Sequence, residues 1–298
     1  MKRLIWIPAL LFAVPLAWAQ EDETFKLNVD VDLVEVHINV TDEADRPIGN
    51  LTKSNFRLVE DRIQQEISVF KHEDIPVSLG LVIDNSRSIE PRKQRLDAAA
   101  VSFVRKSNPE DETFIVHFDN EARLNQDFTA SIADLENALA KERPFGQTAI
   151  YDALILGLDH MENAKHQKRV ILLITDGIDN SSKHTLAEAI DATKRAHVAV
   201  YTVGLLSQAG GQAAEDSLID IAEASGGRAY FPQNVDEAHT VMERVARDLR
   251  EQYTLGYFPS HPNLDGKWRS VRVEIMPPPG FPPKAKLNAI YRHGYYGR

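Results

Sequence analysis

Cysteine is absent from the 298 residues. That absence excludes disulfides, thiolate metal sites and a lipid anchor on cysteine, and it leaves stability to the apolar core. Long apolar runs are absent too. The stretch Leu4 to Leu16 falls short of the ~20 residues a membrane-spanning helix needs, and Pro8 and Pro15 interrupt it. Positive charge is scarce: 34 Lys and Arg stand against 44 Asp and Glu, a net charge of −10, with no basic cluster. Nucleic acid and anionic lipid are therefore poor partners. Catalytic signatures are missing as well, with no Gly-x-Ser-x-Gly, no His-Glu-x-x-His and no phosphate loop ending in Lys-Ser/Thr. The chain is expected not to be an enzyme. Hydrolysis stays open as the alternative, with Ser86 as nucleophile and His117 brought in by the fold as base. His160 and His166 read as surface residues.

The chain divides into four parts. Residues 1–19 carry Lys2 and Arg3, then the apolar stretch, then Ala17-Trp18-Ala19 before Gln20, the pattern of an export leader. The protein is accordingly expected outside the cytoplasm, periplasmic or secreted, with no membrane segment after cleavage; an uncleaved anchor is the alternative. Residues 20–76 are β-rich. Alternation runs from Phe25, slips by one at Leu33-Val34, and a one-residue slip turns side chains over. Phe56 to Glu60 and Ile67 to Phe70 read as two strands around a charged turn at Asp61-Arg62. Residues 77–251 alternate strands and helices, which predicts a parallel sheet covered on both faces. Residues 252–298 return to β, with strands at 254–258, 268–275 and 285–292 around a proline-rich loop. Both β-rich pieces are small for independent folding, so they are expected to join into one small sandwich beside the core.

The core is organised around Val77-Ser78-Leu79-Gly80-Leu81-Val82-Ile83-Asp84-Asn85-Ser86-Arg87-Ser88. Leu79 to Ile83 reads as a strand buried on both faces. Ligands of open α/β sheets gather beyond the carboxyl ends of such strands, where Asp84, Ser86 and Ser88 fall. Their hard oxygens suit Mg²⁺ better than zinc or copper. Thr148, in the loop Gly146-Gln147-Thr148 before a helix, and Asp176, at the end of the buried strand Arg169 to Thr175, lie in segments that converge on the same edge. Asp179-Asn180-Ser181-Ser182, near Asp176, reads as a solvated turn, with a part in shaping the rim as the alternative.

An Asp-x-Ser-x-Ser loop, a distant Thr and a later Asp resemble the metal-ion-dependent adhesion site of the von Willebrand factor type A domain, at all five positions. The flanks, Leu51 to Asp61 and Tyr253-Thr254-Leu255-Gly256-Tyr257 with Gly294-Tyr295-Tyr296, resemble the exported bacterial "VWFA-related" subfamily of Acidobacteria. The resemblance implies an α/β fold with a doubly wound, mostly parallel sheet. It implies a cation, Mg²⁺ with Mn²⁺ or Ca²⁺ as alternatives, held through the hydroxyls of Ser86, Ser88 and Thr148. Asp84 and Asp176 would act mostly through water. A protein partner would offer an acidic residue to the cation, for adhesion or protein–protein binding. Arg87 stands where the family usually has Gly, Ile89 where it has Met, and Gln147 where a second Gly is common. Arg87 places a bulky cation at the rim, to clamp a ligand carboxylate or to obstruct the loop. A scaffold with a vestigial site is the other alternative.

Overall fold

The periodicity slip at Leu33-Val34 marks the start of the first strand in the computed structural model, which describes residues 33–106, 108–205, 211–260, 265–281 and 286–297. The expected leader, and the alternation from Phe25 to Val31, lie outside the described residues. Strand β1 (Val34–Thr41) buries Val36, Ile38 and Val40 on one face, and Asn39 and Thr41 on the other are buried as well. Strands β2 (Phe56–Glu60) and β3 (Ile63–Gln65) form a hairpin. Its two-residue turn, Asp61-Arg62, has φ of 45° and 70°, and two positive φ values match the right-handed twist of the flanking strands. Strand β4 (Ile67–Lys71) joins a different sheet. The charged turn therefore pairs Phe56–Glu60 with β3, not with Ile67 to Phe70 as the sequence suggested.

The α/β unit follows in the order β5 (Val77–Asp84), α1 (Lys93–Arg105), β6 (Glu112–Phe118), β7 (Ala122–Thr129), α2 (Ile132–Lys141), α3 (Ile150–His160), β8 (Lys168–Thr175), α4 (Leu186–Arg195), β9 (Ala199–Gly204), α5 (Gly211–Ser225), β10 (Ala229–Tyr230) and α6 (Val235–Arg250). The sheet order is β10-β9-β8-β5-β6-β7. Every pairing is parallel except that of the edge strand β7 with β6. All eight residues of β5 are buried. Leu79, Leu81 and Ile83 face a layer with Leu96, Leu135 and Met242 from α1, α2 and α6. Val82 faces Leu154, Ala189 and Ile221 from α3, α4 and α5. Each fully buried Leu, Val or Phe contributes roughly 1.5–3 kcal/mol. Side-chain caps start the helices: Ser131 accepts from the Asp134 N–H, and Thr185 and Glu188 cap each other. Helix α5 begins at Gly211 rather than near Glu215, because Gln212, Ala213 and Ala214 carry it backward and Ala214 is buried. His160 is no surface residue; its ring stacks on Phe128 at 5.1 Å and meets Phe114 edge-on at 4.7 Å. His166 is half-buried, with Nε2 3.0 Å from the Glu110 carbonyl.

The last strands are β11 (Tyr253–Tyr257), β12 (Trp268–Ile275), β13 (Asn288–Ile290) and β14 (Gly294–Tyr296). Two further sheets result, β13-β1-β11-β4 and β14-β12-β2-β3. Each takes strands from both ends of the chain. Their inner faces share one core, with Ile38, Tyr253 and Leu255 from the first sheet and Leu58, Val271 and Val273 from the second. The flanks thus form one β-sandwich. The tail strand expected over 285–292 is observed only as the short β13 in the first sheet, and β14, which follows it, joins the second. Helix α6 runs almost directly into β11, and Asp45 of the first flank pairs with Arg228 at 3.1 Å and with Arg244. Among the described residues no helix is long and apolar enough to cross a membrane.

Candidate metal centre

Strands β5 and β8 are parallel neighbours, with Ile83 opposite Ile174, so both end at one edge of the sheet. Asp84 closes β5 and Asp176 follows β8. Asp84 is buried and fully engaged. Its Oδ1 accepts from the Ser86 backbone N–H at 2.8 Å, and its Oδ2 from the Thr175 hydroxyl at 2.6 Å and the Asp176 N–H at 3.4 Å. The Ser86 and Ser88 hydroxyls are 3.0 Å apart, and Ser88 donates to Asp176 Oδ1 at 2.7 Å. Thr148 is buried beside Gly177, where an added Cβ would lie 3.5 Å from its hydroxyl. Ser88 is exposed, which opens the cluster to solvent.

Asn85, Asn180 and Asn120 hold these groups in place, and of the three only Asn180 lies in a turn that the sequence placed at the rim. Asn85 is buried; its N–H donates to the Phe118 carbonyl at 2.7 Å and its side-chain amide to the Arg143 carbonyl at 2.8 Å. Its own carbonyl accepts from the Phe145 N–H at 2.8 Å. It therefore staples the Asp84 loop to the end of β6 and to the loop that carries Thr148. Asn180 accepts from the Thr148 N–H at 2.9 Å and returns its own N–H to the Thr148 carbonyl at 3.0 Å. The turn is thus a clamp on Thr148, which favours the alternative that it shapes the rim over a solvated turn. Gly146 has φ of 74°, and a Cβ there would meet Asn120 Oδ1 at 2.6 Å. Asn120 needs that space to accept from the Gln147 N–H at 2.8 Å. The available sequence cue was composition: Asn is the residue that satisfies backbone groups in turns.

Arg92 is the fourth. Its Nη1 lies 2.6 Å from Asp176 Oδ2, with the aspartate side chain only 1% exposed and the arginine 37%. Arg87, the cation expected to matter, is exposed at the rim, its backbone N–H 3.4 Å from the Gly146 carbonyl. Burial pushes the Asp84 carboxyl upward; hydrogen bonds from Ser86 and Thr175 oppose this, and the nearby Asp176 charge adds to it.

The donor set fits a hard divalent cation. It is all oxygen, the Ser86 and Ser88 hydroxyls are linked to each other and to Asp176, and its two carboxylates repel. Among the described residues no three His, Cys, Asp or Glu gather at a metal-binding spacing. The candidate centre has two carboxylates, and hydroxyls make up the rest.

An open parallel sheet with this loop constellation at its carboxyl edge defines a class of domain. Residues 79–178 match the family model of the von Willebrand factor type A domain, and the α/β unit is a domain of that kind. Among solved structures, the chain resembles proximal thread matrix protein 1 from the mussel byssus, in a form described as having a zinc-occupied MIDAS motif. That match has 21% identity and a TM-score of 0.50, over 64% of this chain and 49% of the mussel protein. It therefore spans about half the length of that relative. The chain also resembles the vWF domain of the type V pili tip protein Mfa5 from Porphyromonas gingivalis, with 16% identity and a TM-score of 0.51, over 58% and 95% of the two chains. The PilB minor pilin from Streptococcus sanguinis matches with 15% identity and a TM-score of 0.50, over 61% and 62%. At these identities the likeness is one of fold. No curated protein matches the chain.

Proposed function

We propose that the protein binds another protein outside the cytoplasm through a divalent cation. Ser86, Ser88 and Thr148 would hold it by their hydroxyls, with Asp84 and Asp176 acting mostly through water. The observation that carries this reading is the convergence of three loops on one oxygen cluster, with Ser88 Oγ 2.7 Å from Asp176 Oδ1 and open to solvent. Asp84 already accepts three hydrogen bonds, so its place is to orient the loop and to balance charge. When bound, the cation supplies incompletely cancelled positive charge for an anionic ligand group. A carboxylate of the partner is the chemistry that answers it, and Arg87 at the rim is placed to meet the same group.

A protein surface suits the rim better than a small anion. Phe145 and Ile178, on the two loops that carry Thr148 and Asp176, are 57% and 46% exposed. Placement outside the cytoplasm draws on the leader-like pattern of residues 1–19 and on relatives described as a pilin, a pilus tip protein and a byssal matrix protein. Binding is favoured over hydrolysis because His117 is fully buried and burial pushes its pKa down to about 3, too low for an effective base.

The test is thermal unfolding of the protein and of Asp84→Ala, stripped by chelator and titrated with Mg²⁺, Mn²⁺ and Ca²⁺. A ligand of the folded state alone stabilises by ~2.7 kcal/mol at a hundredfold excess over its dissociation constant. The expected result is a shift in the wild type that Asp84→Ala abolishes. Partner capture that is indifferent to metal, with no such shift, would leave a scaffold with a vestigial site.

A further inference from the structure

Arg92 stands in an unusual place. It is the residue at which α1 begins, it makes no side-chain cap, and no acidic residue lies in the first turn of that helix. Lys93 follows it directly. The positive end of a helix disfavours cations, so nothing local rewards an arginine there. Its side chain instead reaches across to Asp176, with Nη1 2.6 Å from Oδ2. Asp176 Oδ1 accepts from Ser88, so both oxygens of this carboxylate are engaged, one by a hydroxyl of the candidate centre and the other by a fixed positive charge. A divalent cation entering the centre meets that charge across a carboxylate that is itself buried.

The geometry points to Arg92 as a tethered counter-ion that competes with the divalent cation for Asp176 and thereby sets how tightly this chain holds it. The inference rests on the cation reading above. Without a cation, the guanidinium neutralises Asp176 and keeps the loops together. With one, two positive charges share a single buried carboxylate, and the repulsion lowers cation affinity. An incoming carboxylate relieves this repulsion, so firm retention of the cation is linked to arrival of the anionic partner group. Arg87 plays no such part, because it stands at the rim and touches neither aspartate among the described contacts.

The experiment is calorimetric titration of Mn²⁺ into chelator-stripped full-length protein, wild type against Arg92→Met, Arg92→Lys and Asp176→Asn, with unfolding temperatures measured in chelator. Arg92→Met is expected to bind Mn²⁺ about tenfold or more tightly than wild type. It is also expected to unfold at a lower temperature in chelator and to recover that loss on adding Mn²⁺. Arg92→Lys, which keeps the charge, stays close to wild type. Arg92→Gln replaces Arg92→Met if the latter does not fold. Affinities of wild type and Arg92→Met within about threefold of each other, or weaker binding by the variant, overturn the competition and leave the cation site standing. Heat in none of the proteins overturns the cation site, and the competition with it.

Discussion

Asn180 shows how much of the centre depends on residues that never touch its ligand. It exchanges two hydrogen bonds with the Thr148 backbone, and Ser181 adds a third to the Thr148 carbonyl at 3.2 Å. Asn180→Ala removes the acceptor for a buried N–H, and an unmet buried donor costs about 1–3 kcal/mol. Chemical denaturation should register a loss of that size, together with a smaller Mn²⁺-induced thermal shift. Asn180→Asp, which keeps the acceptor, should retain most of both. An Asn180→Ala protein with wild-type stability would mean that the clamp carries no strain and Thr148 is held by α3 alone. The five candidate ligands were legible in the sequence because each sits in a short motif at the end of a recognisable element. Asn85, Asn180 and Arg92 were not, because their meaning lies in what they reach: Arg143, Thr148 and Asp176 are distant in sequence, and no local pattern announces those pairings. Arg87 lies inside the motif but is exposed at the rim, whereas Arg92, from the start of the next helix, reaches Asp176.

At the scale of elements, the buried strand β5, the almost wholly buried β8 and the amphipathic helices were readable from periodicity, because burial on both faces or on one stripe leaves a long, regular trace. The short strands of the flanks were not. Strand β3 has three residues and β13 and β14 three each, too few for a period, and their sheet assignment is set by turns and by contacts between the ends of the chain. What ties those two sheets is a buried acid. Glu60 on β2 accepts from the Tyr257 hydroxyl on β11 at 2.5 Å and from the Tyr295 hydroxyl on β14 at 2.9 Å. Burial, then hydrogen bonding to Glu60, push both phenols above their ordinary range. Hydrogen bonds to a charged group contribute about 1.5–3 kcal/mol, and stranding the partners costs more than removing one. Glu60→Ala is therefore expected to destabilise by about 2–4 kcal/mol and Tyr257→Phe by about 1–2 kcal/mol. The two losses should fall short of additive in a double-mutant cycle monitored by urea unfolding. Full additivity would place the acid outside the network.

For the whole molecule, the joint between sandwich and α/β unit carries titratable groups. His37 of β1 is bonded to Thr254 of β11 at 3.0 Å, and Lys168 at the start of β8 donates to the Leu249 carbonyl at the end of α6. Burial, helped by the Lys168 charge, pushes His37 down to about 4, and burial likewise pushes Lys168 down to about 8. His117, in the α/β core, is pushed down to about 3, chiefly by burial and then by the Lys93 charge, with Asn125 and Asp119 opposing the shift. Both histidines are neutral when folded, and their unfolded value is 6.5. As pH falls below 6.5 the unfolded chain takes up protons that the folded chain refuses, so stability is lost from that point down to the folded values. By pH 4.5 the loss is about 2–3 kcal/mol for each histidine. Unfolding free energies measured from pH 7.5 to 4.5 should therefore fall steeply. His117→Leu should flatten the slope by its own share, since it removes the buried group that takes up a proton only on unfolding. His37→Asn should remove the other share, at some cost near pH 7 from lost packing against the joint. A slope unchanged in both variants would assign the acid sensitivity to the carboxylates and leave the joint insensitive to protons over that range.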